Sequence, residues 1–160
     1  MGMLASLKLV SGSAFKRHKA NLAEMEVPED APSFALDKAW LELHSVLREM
    51  PKPLCLALQG DRPTYGRLLV AAGGDPGVYG MEADEEADDC YLGYVSPALV
   101  KKLADALEAL SEEDVLAAIK VAGWPSKKAD QRYHRTCLGE LRAAYRTAAE
   151  SGAALMVLIS

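Results

Sequence analysis

Apolar positions fall into blocks with two periods. Met3–Val10 is short, mostly apolar and followed by Ser11-Gly12, which predicts a strand ending in a turn. Ser13 is read as opening a polar helix that carries the run Lys16, Arg17, His18 and Lys19. Pro28 and Pro32 bracket a loop, and Ser33 is placed as the cap of the next helix. In that helix Leu36, Ala39, Trp40, Leu43, Val46, Leu47 and Met50 recur at steps of three and four, which predicts one buried face. Pro51 and Pro53 end it. Leu54–Leu58 is a five-residue apolar run read as a buried strand. From Gly60 to Gly80 glycines dominate, and the stretch is read as irregular with one strand at Leu68–Ala71.

Regularity returns at Cys90–Val95, read as a strand. Ser96-Pro97 supplies a cap followed by proline at the first helical position. Leu99, Leu103, Ala106, Leu107 and Leu110 form the stripe of that helix. Ser111-Glu112-Glu113-Asp114 resembles a capping box with Asp in the usual Glu position, starting a helix through Ala122. Gly123-Trp124-Pro125 breaks the chain. A last helix is predicted from about Ala129 to Glu150, followed by a terminal strand at Ala153–Ile159. No repeats occur. Helices and a few strands, with a strand at each terminus, predict a single compact α+β domain over 1–160 with both terminal strands in one small sheet. An irregular segment rich in glycine and acid interrupts it at about 60–90.

Composition narrows the classes. With 160 residues, half of them hydrophobic, the chain is long enough to hold a core without disulfide or metal. Three cysteines, Cys55, Cys90 and Cys137, fit free thiols rather than a disulfide scaffold. The Met1–Val10 run is short and broken by Lys8, so no signal peptide is expected, and no apolar run reaches the roughly 20 residues of a membrane span. The expectation is a soluble cytoplasmic protein.

Charge is distributed unevenly. The net charge is −5, from 18 basic and 23 acidic residues. Glu82, Asp84, Glu85, Glu86, Asp88 and Asp89 lie within eight positions, and the other 17 acidic residues nearly balance the 18 basic ones. An acidic chain is a poor general binder of nucleic acid, since phosphate binding needs Lys and Arg to release counterions. Three readings of the tract remain open: a solvated loop, a divalent-cation site lacking the alternating Asp/Asn pattern of a calcium loop, or a docking surface for a basic protein.

Few residues suggest chemistry. Gly73-Gly74-Asp75-Pro76-Gly77 lacks the Lys-Ser/Thr of a phosphate loop and reads as a turn. Ser13-Ala14-Phe15-Lys16 matches Ser-x-x-Lys, but the companion motifs are missing and a helix cap explains it. His134 and Cys137 lie three apart on one helix; two ligands do not make a metal site, and Cys137 sits on the apolar stripe. His44 stands at the edge of the Trp40 face, either as a general base or as a core histidine, and Asp37 two turns earlier could share that face. Asp37, Trp40 and His44 therefore form the alternative pocket. No catalytic residue, metal or cofactor is assigned.

Several of these blocks also carry a resemblance. Met1-Gly2-Met3, Leu36-Asp37-Lys38-Ala39-Trp40 with Leu43-His44, Leu92-Gly93-Tyr94 before Ser96-Pro97, and Leu141-Arg142-Ala143-Ala144-Tyr145 resemble the bacterial YfbM-like family, domain of unknown function 1877. The likeness covers most of the chain in the family's order. It departs at Arg48-Glu49-Met50, where the family usually has Thr-Gly after the leucine, and in the glycine-rich and acidic stretches. The resemblance implies a compact α+β domain and no established activity. It also implies kinship with candidate immunity proteins of bacterial toxin systems. On that basis the expected function is a non-catalytic, protein-binding, immunity-type inhibitor, its Glu82–Asp89 carboxylates meeting a basic partner. The alternative is a small-molecule-binding domain or enzyme at Asp37, Trp40 and His44.

Overall fold

A computed structural model describes residues 4–37, 40–50, 54–67, 78–79, 91–123 and 128–159. Strand β1 (Ala5–Val10) leads into helix α1 (Gly12–His18), and a short 3-10 turn at Leu22–Glu24 precedes β2 (Ser33–Asp37). Helix α2 (Trp40–Arg48) and a 3-10 turn at Cys55–Leu58 come next, followed by β3 (Arg62–Arg67), β4 (Val78–Tyr79) and β5 (Tyr91–Val95). Helices α3 (Pro97–Glu108), α4 (Glu112–Ala122) and α5 (Lys128–Ser151) lead to the final strand β6 (Ala154–Ile159). All described pairings are antiparallel, in the order β2-β1-β6-β5-β3-β4. The α+β class and the shared sheet of both terminal strands are as expected.

The sheet sorts its side chains by period two. Leu7, Tyr91, Val95, Leu155, Val157 and Ile159 join the main core with α2, α3, α4 and α5. Val10, Tyr94 and Ala154 face the other way and pack with Phe15, Leu22 and Met25. One face thus carries four helices, while the other is covered at one end by α1 and the segment after it.

Helix boundaries follow local chemistry. Ser111 caps α4 by accepting a hydrogen bond from the Asp114 N–H, and the Asp114 carboxylate in turn accepts one from the Ser111 N–H, so Asp serves in the capping box. Ser96 precedes Pro97 at the start of α3, but its side chain bonds elsewhere. Ion pairs join Glu112 to Arg135 and Glu108 to Arg146, tying α4 and α3 to α5.

Four expectations are corrected. Ser33 does not cap a helix: Ser33–Asp37 is a strand paired with β1, and the helix begins at Trp40. Leu36 lies four residues before Trp40 and imitated helical spacing, but the free edge of β1 supplies its backbone with partners. Leu54–Leu58 is not a strand; Ala57 N–H bonds the Leu54 carbonyl and Gly60 N–H the Leu56 carbonyl, closing tight turns, and Leu56 is exposed. The cap of α1 is Ser11, whose hydroxyl accepts from Ala14 N–H, rather than Ser13. The 60–90 segment is not irregular throughout, since β3 and β4 lie within it. The Leu68–Ala71 strand lies outside the described residues.

Trp40 is 5% exposed in the main core. Trp40→Ala should therefore cost about 3–5 kcal/mol, read by denaturant unfolding. A loss below about 1 kcal/mol would place the indole outside the core.

Candidate functional site

Three places bear on function: the buried polar cluster at His44, the sheet end that carries the acidic tract, and a cleft beside α1. The first is built around the Cys55–Leu58 turn. Tyr145, fully buried on α5, donates its hydroxyl to the Ala57 carbonyl at 2.8 Å. Burial pushes that phenol well above its ordinary pKa, and the Asp61 charge adds to the rise. Tyr91 donates to the Gln59 carbonyl at 2.5 Å. Gly93 permits this contact: a Cβ there would lie 2.6 Å from the Tyr91 hydroxyl and 2.7 Å from the Gln59 oxygen. Asp61 then accepts from the Ser96 N–H at 2.8 Å and from the Ser96 hydroxyl at 2.6 Å. Gly93 and Ser96, each from one of the quoted sequence blocks, thus help to hold this turn.

His44 sits beside that turn, fully buried, and neither ring nitrogen has a hydrogen-bond partner among the described residues. Burial lowers its pKa below the ordinary 6.5, and the Arg48 guanidinium lowers it further. The Gln59 side chain favours the protonated ring and opposes the shift only in part, with no hydrogen bond of normal geometry between them. With 0% of its surface exposed, the imidazole is closed off from solvent.

The shared helical face on which the spacing placed Asp37 with Trp40 and His44 is not formed. Trp40 and His44 share α2 but are both core, whereas Asp37 ends β2 rather than preceding them on a helix. The Asp37 side chain lies outside the described residues. Cys137 is buried and outside any disulfide, the His134 side chain lies outside the described residues, and no described group of three or more His, Cys, Asp or Glu is placed to hold a metal.

The second place is fixed by register. Asp37, Ala5, Ile159, Tyr91, Gly66 and Tyr79 form one row across all six strands. Tyr79 and Tyr91 both pair with Gly66, so the two strand ends are about 10 Å apart, two interstrand spacings. The eleven residues between them contain Glu82, Asp84, Glu85, Glu86, Asp88 and Asp89. The tract itself lies outside the described residues.

The third place was not foreseen. At the opposite sheet end, beyond Val10 and Ala154, a cleft of about 840 Å³ opens between α1 and residues 26–32. Its lining is apolar at Val10, Val27 and Pro28 and polar at Ser11, Arg17 and Glu26. A close approach closes its base: a Cβ on Gly12 would stand 2.5 Å from the Gly152 carbonyl. The only sequence signal for it was the Ser-Gly turn joining a strand to a basic helix.

These features define the class: a single α+β domain built on an antiparallel sheet with its terminal strands adjacent. The family model for a domain of unknown function, DUF1877, matches residues 1–158, and the chain belongs to that family. Among solved structures it is similar to YfbM from Escherichia coli, a protein of unknown function, at 15% identity and a TM-score of 0.61. That match covers 98% of this chain and 99% of the other, and at this identity it shows the fold alone. No curated protein matches the chain. Among the described residues no helix is long and apolar enough to cross a membrane.

The His44 shift sets a pH dependence. Above about pH 6.5 the ring is neutral in both states and adds no slope. As pH falls below that value the unfolded chain takes the proton first, so stability declines until the lower folded pKa is passed. His44→Leu should remove this component, giving a shallower loss between pH 7.5 and 5 in urea titrations than the native chain. Equal slopes would show that His44 is not the buried neutral group described.

Proposed function

We propose that this chain is a non-catalytic protein-binding domain, an immunity-type inhibitor of a cognate bacterial toxin, whose acidic segment meets a basic surface of its partner. One observation carries the reading: six carboxylates crowd eight positions between two strand ends held in one row of the sheet, while the rest of the chain is near neutral. A nuclease must be basic where it holds phosphate. Carboxylates seated on such a surface would neutralise it and repel substrate. The alternative, a small-molecule site at Asp37, Trp40 and His44, has less support, because Trp40 and His44 are 5% and 0% exposed.

Charge-matched surfaces mainly accelerate encounter and are screened by salt. Affinity capture at low salt, with mass spectrometry, identifies the partner, and association rates are then compared for two forms. Replacing all six carboxylates with Asn and Gln should lower the association rate tenfold or more at low salt, with the gap narrowing as salt rises. Thermal stability should hardly change, because removing like charges crowded in sequence relieves repulsion. Equal rates with the same salt dependence would reduce the tract to a solvated loop and remove the reading's support.

A further inference from the structure

The cleft beside α1 lies at the sheet end opposite the acidic tract, so what it binds is independent of the proposed protein partner. Its volume of about 840 Å³ falls within the usual range for small-ligand sites, which combine an apolar lining with a few polar groups that set orientation. Here the polar groups are of opposite charge. Arg17 projects from α1, Glu26 from the segment facing it, and both line the same cleft. Both are exposed, and among the described residues neither side chain forms an ion pair or hydrogen bond. Arg17 and Glu26 do not pair with each other, which leaves both charges open to a ligand. The same cleft is lined by Val10, Val27 and Pro28 and by Ser11 and Ser13, whose hydroxyls share a 3.2 Å hydrogen bond.

We propose that this cleft binds a small zwitterion with an apolar side group, a free amino acid or a peptide of two or three residues. The ligand carboxylate pairs with the Arg17 guanidinium, whose forked donors suit a carboxylate. The ligand ammonium pairs with Glu26. The apolar lining takes the side group, and its removal from water supplies the favourable term that two solvent-exposed ion pairs alone would not. The volume exceeds what one amino acid fills, which favours the short peptide over the free amino acid.

Calorimetric titration of the intact chain tests this with leucine, Leu-Leu and Leu-Leu-Leu. Partner probes are Leu-Leu acetylated at its amine and Leu-Leu amidated at its carboxyl. Leu-Leu or Leu-Leu-Leu should bind, and blocking either end should weaken binding at least tenfold. Arg17→Gln should abolish the effect of amidation and Glu26→Gln that of acetylation. Both residues are exposed, so circular dichroism and the melting temperature should stay unchanged in the variants. If only free leucine binds, with the same dependence on Arg17 and Glu26, the zwitterion assignment stands with the smaller ligand. No binding of any probe at millimolar concentration overturns it. So does binding indifferent to both blocked ends, or unaltered by both variants.

Discussion

Strand β6 is hydrogen-bonded along both edges, to β1 on one side and to β5 on the other. The last strand of the chain therefore lies between the first strand and a strand from the middle, and the six-stranded sheet is continuous only once residues 154–159 are inserted. Ala154, Leu155, Val157 and Ile159 are buried, with the odd positions reaching the helical core and Ala154 the smaller one. Both hydrophobic clusters thus depend on the same six residues. Contacts this far apart in sequence carry a large loop-closure entropy, offset only when the whole sheet forms.

The same strand sets the distance between the two surfaces of interest. One row through Ala5, Ile159 and Tyr91 marks the end where the acidic segment joins the sheet, and Val10 and Ala154 mark the end where the cleft opens. About five residues of strand, roughly 16 Å, separate them. Between the ends, the polar contacts of Tyr145, Tyr91 and Asp61 fasten the Cys55–Leu58 turn to α5, β5 and the start of α3. The Tyr145 contact and His44 are buried, the Tyr91 contact is half-buried and the Asp61–Ser96 pair is exposed, and all of this polar chemistry serves architecture.

Much of the fold was legible in the sequence, for specific reasons. The strong stripes of α3, α4 and α5 and the capping box at Ser111 report local propensity, which the sheet did not override. The terminal strands were legible as short apolar runs against turn glycines. What was misread is what depends on distant partners. Ser33–Asp37 has spacing compatible with helix, and only the edge of β1 makes it a strand. Arg62–Arg67 contains Pro63 and Gly66 and shows no alternation, and its pairing with β5 defines it. The site was less legible still. His44 and Trp40 were recognised as near the core, but Asp37 was grouped with them on a helical face that does not exist. Arg17 and Glu26 are nine residues apart in unremarkable surroundings, and only the fold of the intervening chain brings them to one cleft.

Native-state hydrogen exchange of the β6 amides tests this dependence on the terminal strand most directly. Amides of Leu155, Val157 and Ile159 should exchange only through global unfolding, with protection equal to the stability from denaturant titration and the same denaturant slope. Exchange of these amides through local opening, markedly faster than global unfolding allows, would contradict a sheet held together by β6.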